Sequence, residues 1–274
     1  MKPAVVARGV SVVFGAHVAL GASDFELAVG GVAAVIGPNG SGKSTLLNLI
    51  AGLVEPTAGS IEVGADPAGI SYVMQATKVN ETLPVTVHEV VTMGRYASTG
   101  VYGRLRGPDH DAIEAAMRRM EIVPLANRHL HDLSGGQRQR VFVAQGLAQD
   151  HDVLLLDEPL TGIDLTTAQA IDEVIHAEVE DGCTVIITTH DLSEAGSADF
   201  VLLLSGRVLA WGRPEDVLTE DNLVAAYGPS LLHVEKGRVF LDDPAHMPVM
   251  GRHAHRERSI HTEADRTGMH GDQP

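Results

Sequence analysis

Gly37-Pro38-Asn39-Gly40-Ser41-Gly42-Lys43-Ser44 is the stretch on which the reading of this chain turns. It fits the pattern G-x-x-x-x-G-K-[ST], and its flanks supply the context that pattern requires. Residues 32–36, Val-Ala-Ala-Val-Ile, read as a short buried strand, and residues 45–51, from Thr45 onward, read as a helix. The glycines permit a tight turn that aims successive backbone N–H groups inward, forming a concave nest for phosphate oxygens. The helix beginning near Gly42 adds its positive end. Lys43 is placed to reach the β- and γ-phosphates, and the Ser44 hydroxyl to ligate Mg²⁺. The stretch predicts that the chain binds a nucleoside triphosphate.

Working outward, 274 residues suffice for one large α/β core, or a core with a small appendage. Hydrophobic residues at 44% and charged residues at 20% fit a soluble globular protein. No apolar run approaches the roughly 20 residues that span a bilayer, and the N-terminus lacks an apolar signal segment. The expected location is therefore cytoplasmic. A formal net charge of −16 argues against a nucleic-acid groove, which needs a basic stripe, so no nucleic-acid partner is expected. The single cysteine, Cys183, can form no internal disulfide and reads as a small buried residue at the entry of a strand.

Hydrophobic alternation predicts strands over 5–14 and 24–29, before the phosphate-binding turn. A strand over 70–74 ends at Gln75, and helical patterns follow at 87–93 and 109–120. From 136 onward, helices at 136–148 and 167–180 alternate with apolar strands at 153–157 and 184–188. Two short strands at 201–204 and 208–211 close the pattern. Continuous apolar strands alternating with helices predict a mainly parallel sheet covered on both faces. Residues 76–150 are more helical and more interrupted than their surroundings, which marks an inserted helical subdomain. Beyond about residue 243 the periodicity stops, and 244–274 read as a flexible tail carrying His246, His253, His255, His261 and His270.

The strand Val153-Leu154-Leu155-Leu156-Asp157-Glu158 ends in two carboxylates, and buried strands of such sheets end at the nucleotide crevice. Asp157 suits the Mg²⁺ shell. Glu158, one residue on, points elsewhere because strand side chains alternate, and suits the general base that takes a proton from the attacking water. Leu133-Ser134-Gly135-Gly136-Gln137 offers a hydroxyl and free N–H groups at a helix start. Alone it is a weak pattern, since an ordinary N-cap has the same form.

Taken together these strings resemble the ATP-binding-cassette (ABC) family. The order is Phe14, the phosphate loop, Gln75, Leu133 to Gln137, Leu156-Asp157-Glu158, Thr161-Gly162-Ile163-Asp164 and Thr189-His190, covering roughly residues 4–227. The resemblance implies an α/β phosphate-loop ATPase fold of the ABC type over 1–243. It has a mainly parallel core, an antiparallel β subdomain and the inserted helical one. It implies two such subunits closing head-to-tail, so that Ser134, Gly135, Gly136 and Gln137 meet the γ-phosphate of the ATP held by the partner. It assigns Phe14 to stacking on adenine, Gln75 to sensing Mg²⁺ or the water, His190 to the γ-phosphate and water, and Asp164 to the dimer seam. One departure stands out: Ala144-Gln145-Gly146-Leu147 replaces the family's usual Ala-Arg-Ala-Leu. Gly146 costs about 1 kcal/mol in a helix interior, which puts the rigidity of that helix in question.

The run Leu83-Pro84-Val85-Thr86-Val87-His88-Glu89-Val90-Val91-Thr92-Met93-Gly94-Arg95-Tyr96 is similar to manganese, zinc and iron ATPase subunits of metal-uptake transporters. This implies a subunit lying on the inner face of the membrane, bound to a membrane permease and through it to an extracytoplasmic binding protein. Siderophore and cobalamin importers are close relatives and remain an alternative cargo class. A soluble, non-transport ABC ATPase is the other alternative. Irregularly spaced tail histidines without a cysteine partner do not make a defined metal site.

Overall fold

The computed structural model describes residues 3–75, 84–100, 103–228 and the strands Leu232–Glu235 and Arg238–Leu241. The expected tail, 244–274, lies outside the described residues. Two sheets organise the rest. The first is antiparallel, in the order β2-β1-β4, with β1 at Val5–Phe14, β2 at His17–Leu27 and β4 at Ala58–Val63. The second has six strands in the order β5-β6-β7-β3-β8-β9. Its members are β3 (Gly31–Ile36), β5 (Ile70–Val73), β6 (Val153–Asp157), β7 (Thr184–Thr189), β8 (Phe200–Leu204) and β9 (Val208–Gly212). All its pairings are parallel except β8 with β9. The hairpin of β10 (Leu232–Glu235) and β11 (Arg238–Leu241) follows.

Alternation along the central strands builds two cores. Ala34, Ile36, Leu154, Leu156, Val185 and Ile187 face one side, and Ala33, Val35, Val153, Leu155 and Ile186 the other. The second side receives α1 (Lys43–Ile50), through Leu46, Leu47, Leu49 and Ile50, together with the antiparallel sheet. The first side receives α5 (Gly135–Leu147), α6 (Leu165–Glu180) and α7 (Leu192–Ser197). Residues buried on both faces explain why these strands read as unbroken apolar runs.

Between β5 and β6 lie α2 (Val87–Met93), α3 (Tyr96–Thr99), α4 (Gly107–Arg119) and α5. Thr86 caps α2 in a reciprocal capping box with Glu89. Buried Arg95 ties this helical stretch together: its guanidinium donates to Asp109 at 2.9 Å, to the Ala148 carbonyl at 2.9 Å and to both oxygens of Asp150. Late in the chain, α8 (Pro214–Val217) and α9 (Glu220–Tyr227) pack beside β8 and β9.

Several boundaries differ from the sequence expectation. The second strand runs over His17–Leu27 rather than 24–29, because its first half pairs with β1 through Phe14↔His17, Val13↔Val18 and Val12↔Leu20. β5 stops at Val73, before Met74. β4 has no counterpart among the expected strands; it is an edge strand whose residues are mostly exposed, so apolar alternation does not mark it.

Gly146 has a packing explanation. A Cβ added there would lie 2.5 Å from Val73 Cγ2 and 3.1 Å from Ser71 Oγ, and the Ser71 hydroxyl donates to the Gly146 carbonyl at 2.9 Å. The missing side chain lets α5 approach β5 closely, so the glycine serves helix–sheet contact.

Candidate functional site

The phosphate-binding turn leaves the end of β3 and enters α1 at Gly42, whose φ of 102° lies in the left-handed region. A Cβ at Gly42 would stand 2.8 Å from the Ala19 carbonyl, so both conformation and space demand glycine. The turn opens on a cleft of about 250 Å³ lined by Asn39, Gly40, Ser41, Gly42, Lys43, Ser44, Thr45 and Glu158, together with His17 and Ala19 of β2. Lys43 is buried, and its ammonium donates to the carbonyls of Gly37 at 2.8 Å and Pro38 at 3.3 Å. That holds a cation within the loop where phosphate oxygens would lie.

At the carboxyl end of β6, the Ser44 hydroxyl donates to Asp157 Oδ2 at 3.1 Å. Two hard oxygen donors meet there from different elements, a donor set that fits Mg²⁺. Asp157 is 3% exposed, and its other oxygen accepts from Thr188 Oγ1 at 2.8 Å. The register explains the contact, since Asp157 pairs with Thr188 across β6 and β7. Thr188 Oγ1 also accepts the Glu158 N–H at 2.8 Å. Glu158 sits at φ 51°, an uncommon conformation for a side-chain-bearing residue, costing about 1–3 kcal/mol. The turn swings its carboxylate into the cleft, where Oε2 accepts from the Gln75 amide at 3.0 Å. Burial raises the pKa of the neighbouring Tyr72, and the Asp157 charge raises it further.

A second group lies at the start of α5. Ser134 caps the helix by accepting from the Gln137 N–H, while the Gln137 side chain accepts from the Ser134 N–H. A Cβ at Gly136 would meet Asp164 Oδ2 and Thr167 Oγ1, each at 2.9 Å, so this segment packs directly on the N-cap of α6. The Thr167 N–H and hydroxyl hold the Asp164 carboxyl below the usual carboxylate range. Ser134, Gly135, Gly136, Gln137 and Asp164 are therefore together, but none of them lines the phosphate-loop cleft.

Phe14 is 54% exposed at the end of β1, opposite the cleft residue His17. His190 follows β7 and is also exposed. Behind it, the Thr189 hydroxyl donates to Glu194, whose pKa burial raises. Neither Phe14 nor His190 lines the cleft itself. Sequence reasoning missed His17, Ala19 and Thr188. Only the three-dimensional pairing of β2 with β1, and of β7 with β6, brings them to the site.

A phosphate-binding turn between strand and helix, with two carboxylates at the carboxyl end of β6 in the same sheet, defines a nucleoside-triphosphate-binding α/β ATPase. The comparisons make the class specific. The family model described as ABC transporter matches residues 20–161. The manganese transport system ATP-binding protein MntB of Bacillus subtilis is 40% identical over 203 residues, 72% of this chain and 81% of its own. The chelated iron transport system membrane protein YfeB of Yersinia pestis is 36% identical over 252 residues, 89% of this chain and 85% of its own. An ATP-binding cassette solved as a dimer in a post-hydrolysis state with ADP and Pi matches with a TM-score of 0.66 at 27% identity, covering 77% of this chain and 98% of that one. The chain belongs to the ABC transporter family, and it is an ATP-binding, ATP-hydrolysing subunit of that family. Among the described residues no helix is long and apolar enough to cross a membrane.

Proposed function

We propose that this chain powers the import of a divalent metal, manganese or zinc, by hydrolysing ATP on the inner face of the membrane. The observation that carries the cargo class is the similarity to relatives named for manganese and chelated iron transport, together with a zinc transport ATP-binding protein of Treponema pallidum that is 37% identical over 211 residues, 75% of this chain and 79% of its own. Its partners in this reading are a second copy of the chain, a membrane permease and, through the permease, an extracytoplasmic binding protein.

In the proposed mechanism the loop from Gly37 to Thr45 cradles the triphosphate, and Lys43 neutralises charge on the β- and γ-phosphates. Ser44 and Asp157 would hold Mg²⁺, with Gln75 beside it; the ion, when bound, supplies charge neutralisation to the phosphates. Phe14 would stack on adenine. Glu158 accepts the proton of the attacking water, and His190 orients that water against the γ-phosphate. The separation of Ser134 and Asp164 from the cleft within one chain supports a head-to-tail pair. In that pair Ser134, Gly135, Gly136 and Gln137 cover the partner's γ-phosphate. The solution of a related cassette as a dimer supports the pairing of two subunits.

Radiotracer uptake tests the cargo. Cells carrying the chain with its cognate permease should accumulate manganese or zinc in an ATP-dependent manner, and cells with Glu158→Gln should not. Uptake of a siderophore or cobalamin without either metal ion would reassign the cargo.

A further inference from the structure

At the opposite end of the central sheet from the phosphate loop, three potential metal ligands converge from distant parts of the chain. His151 precedes β6, Glu178 lies in the last turn of α6, and Cys183 precedes β7. One donor atom from each, the His151 and Glu178 ring nitrogen and carboxylate oxygen and the Cys183 sulfur, falls within 4.8 Å of the others. His151 Nε2 and Glu178 Oε2 are 2.9 Å apart, with side chains only 5% and 9% exposed, and Cys183 is 5% exposed.

From this cluster we infer a zinc site, formed by His151 Nε2, a Glu178 carboxylate oxygen and the Cys183 thiolate, with water completing a tetrahedron. The surrounding groups are arranged as outer partners of such ligands usually are. His151 Nδ1 lies 2.7 Å from the Gln149 carbonyl, which fixes the N–H there and turns Nε2 toward Glu178 and Cys183. The other oxygen of Glu178 is held by Arg119 at the end of α4. Metal–ligand lengths of about 2.0–2.3 Å put tetrahedral donors about 3.3–3.6 Å apart, within the 4.8 Å that bounds these three donors. Zinc would take the place of the thiol proton and of the proton held between His151 and Glu178, leaving the charge of the cluster unchanged with Arg119 included. A mixed nitrogen, sulfur and oxygen set selects zinc over magnesium or manganese, which favour oxygen. The site ties α4, α6 and the starts of β6 and β7 together, and it is separate from the ATP cleft and from any transported ion.

Cobalt substitution tests it, because Cys183 is the only cysteine in the chain and any thiolate-to-cobalt absorption reports on this site alone. The full-length protein, stripped with chelator and titrated with Co²⁺, should develop that charge-transfer absorption to one equivalent, together with the visible bands of tetrahedral cobalt. Zinc should abolish both. Cys183→Ser, and separately His151→Ala, should lose the absorption while still binding ATP, which verifies that each variant is folded. In the unaltered protein, one equivalent of zinc should also protect Cys183 from alkylation. Absence of the charge-transfer absorption at saturating cobalt would overturn the assignment, as would its survival in both His151→Ala and Glu178→Gln. Histidine-only binding elsewhere in the chain gives no such absorption and would count against it equally.

Discussion

The Thr188 hydroxyl donates to Asp157 while accepting the backbone N–H of Glu158, both at 2.8 Å. One buried threonine on β7 thus orients the acidic residue that ends β6 and the one that follows it in the turn. It stabilises the strained turn that delivers Glu158 to the cleft. Thr188→Val is close in shape but removes the hydroxyl that accepts the Glu158 N–H and donates to Asp157. It should lower stability by about 1–3 kcal/mol. It should also reduce kcat by on the order of ten- to a hundredfold through misplacement of the carboxylate, with KM for ATP little changed. Steady-state kinetics beside Thr188→Ser checks this, since serine keeps the hydroxyl and should restore turnover. Equal kcat in the valine variant would leave Thr188 with a packing role only.

Glu158→Gln removes the proton acceptor and leaves the phosphate contacts in place. Turnover should fall by roughly 10²–10⁴-fold, while ATP affinity is retained and ATP holds two subunits together. Hydrolysis assays paired with size-exclusion chromatography in ATP read both effects. Near-normal hydrolysis would mean that another group activates the water.

Lys43→Ala should act on binding instead. It removes a charge-assisted contact worth about 1.5–3 kcal/mol, so ATP affinity should fall by roughly ten- to a hundredfold. Calorimetric titration measures it directly, and unchanged affinity would contradict the placement of Lys43 against the phosphates.

Gly146→Ala separates helix propensity from packing. Propensity alone argues for a gain of about 1 kcal/mol. The contact of α5 with Val73 and Ser71 leaves no room for the methyl group, so the substitution should instead cost about 1–3 kcal/mol. Thermal unfolding decides the sign: a raised Tm would mean that β5 and α5 separate easily.

The phosphate loop, the buried strand into Asp157 and the presence of the longer helices, though not their first residues, were legible because each is local. A glycine pattern between strand and helix, an apolar run or an N-cap carries its information within a dozen residues. β4 was not legible, since an exposed edge strand held only by β1 carries no apolar period. The first half of β2 was hidden for a related reason, being fixed by pairing with β1 through three register shifts. Thr188 and the meeting of His151, Glu178 and Cys183 depend on which strands lie side by side. That follows from the whole topology rather than from any one stretch. Gly146 was visible as a departure, but its cause lay some 70 residues away in β5.

The proposed mechanism requires each ATP to be held between two copies of the chain, with Ser134 of one acting at the phosphate loop of the other. A mixed dimer tests this most directly. Ser134→Arg in one subunit, tagged separately from an unaltered partner, places a bulky cation where the opposing γ-phosphate must dock. Hydrolysis measured site by site, using Lys43→Ala to silence one site at a time, should be lost at the site containing the unaltered subunit's phosphate loop and kept at the other. Loss confined to the mutated subunit's own phosphate-loop site would contradict the head-to-tail arrangement.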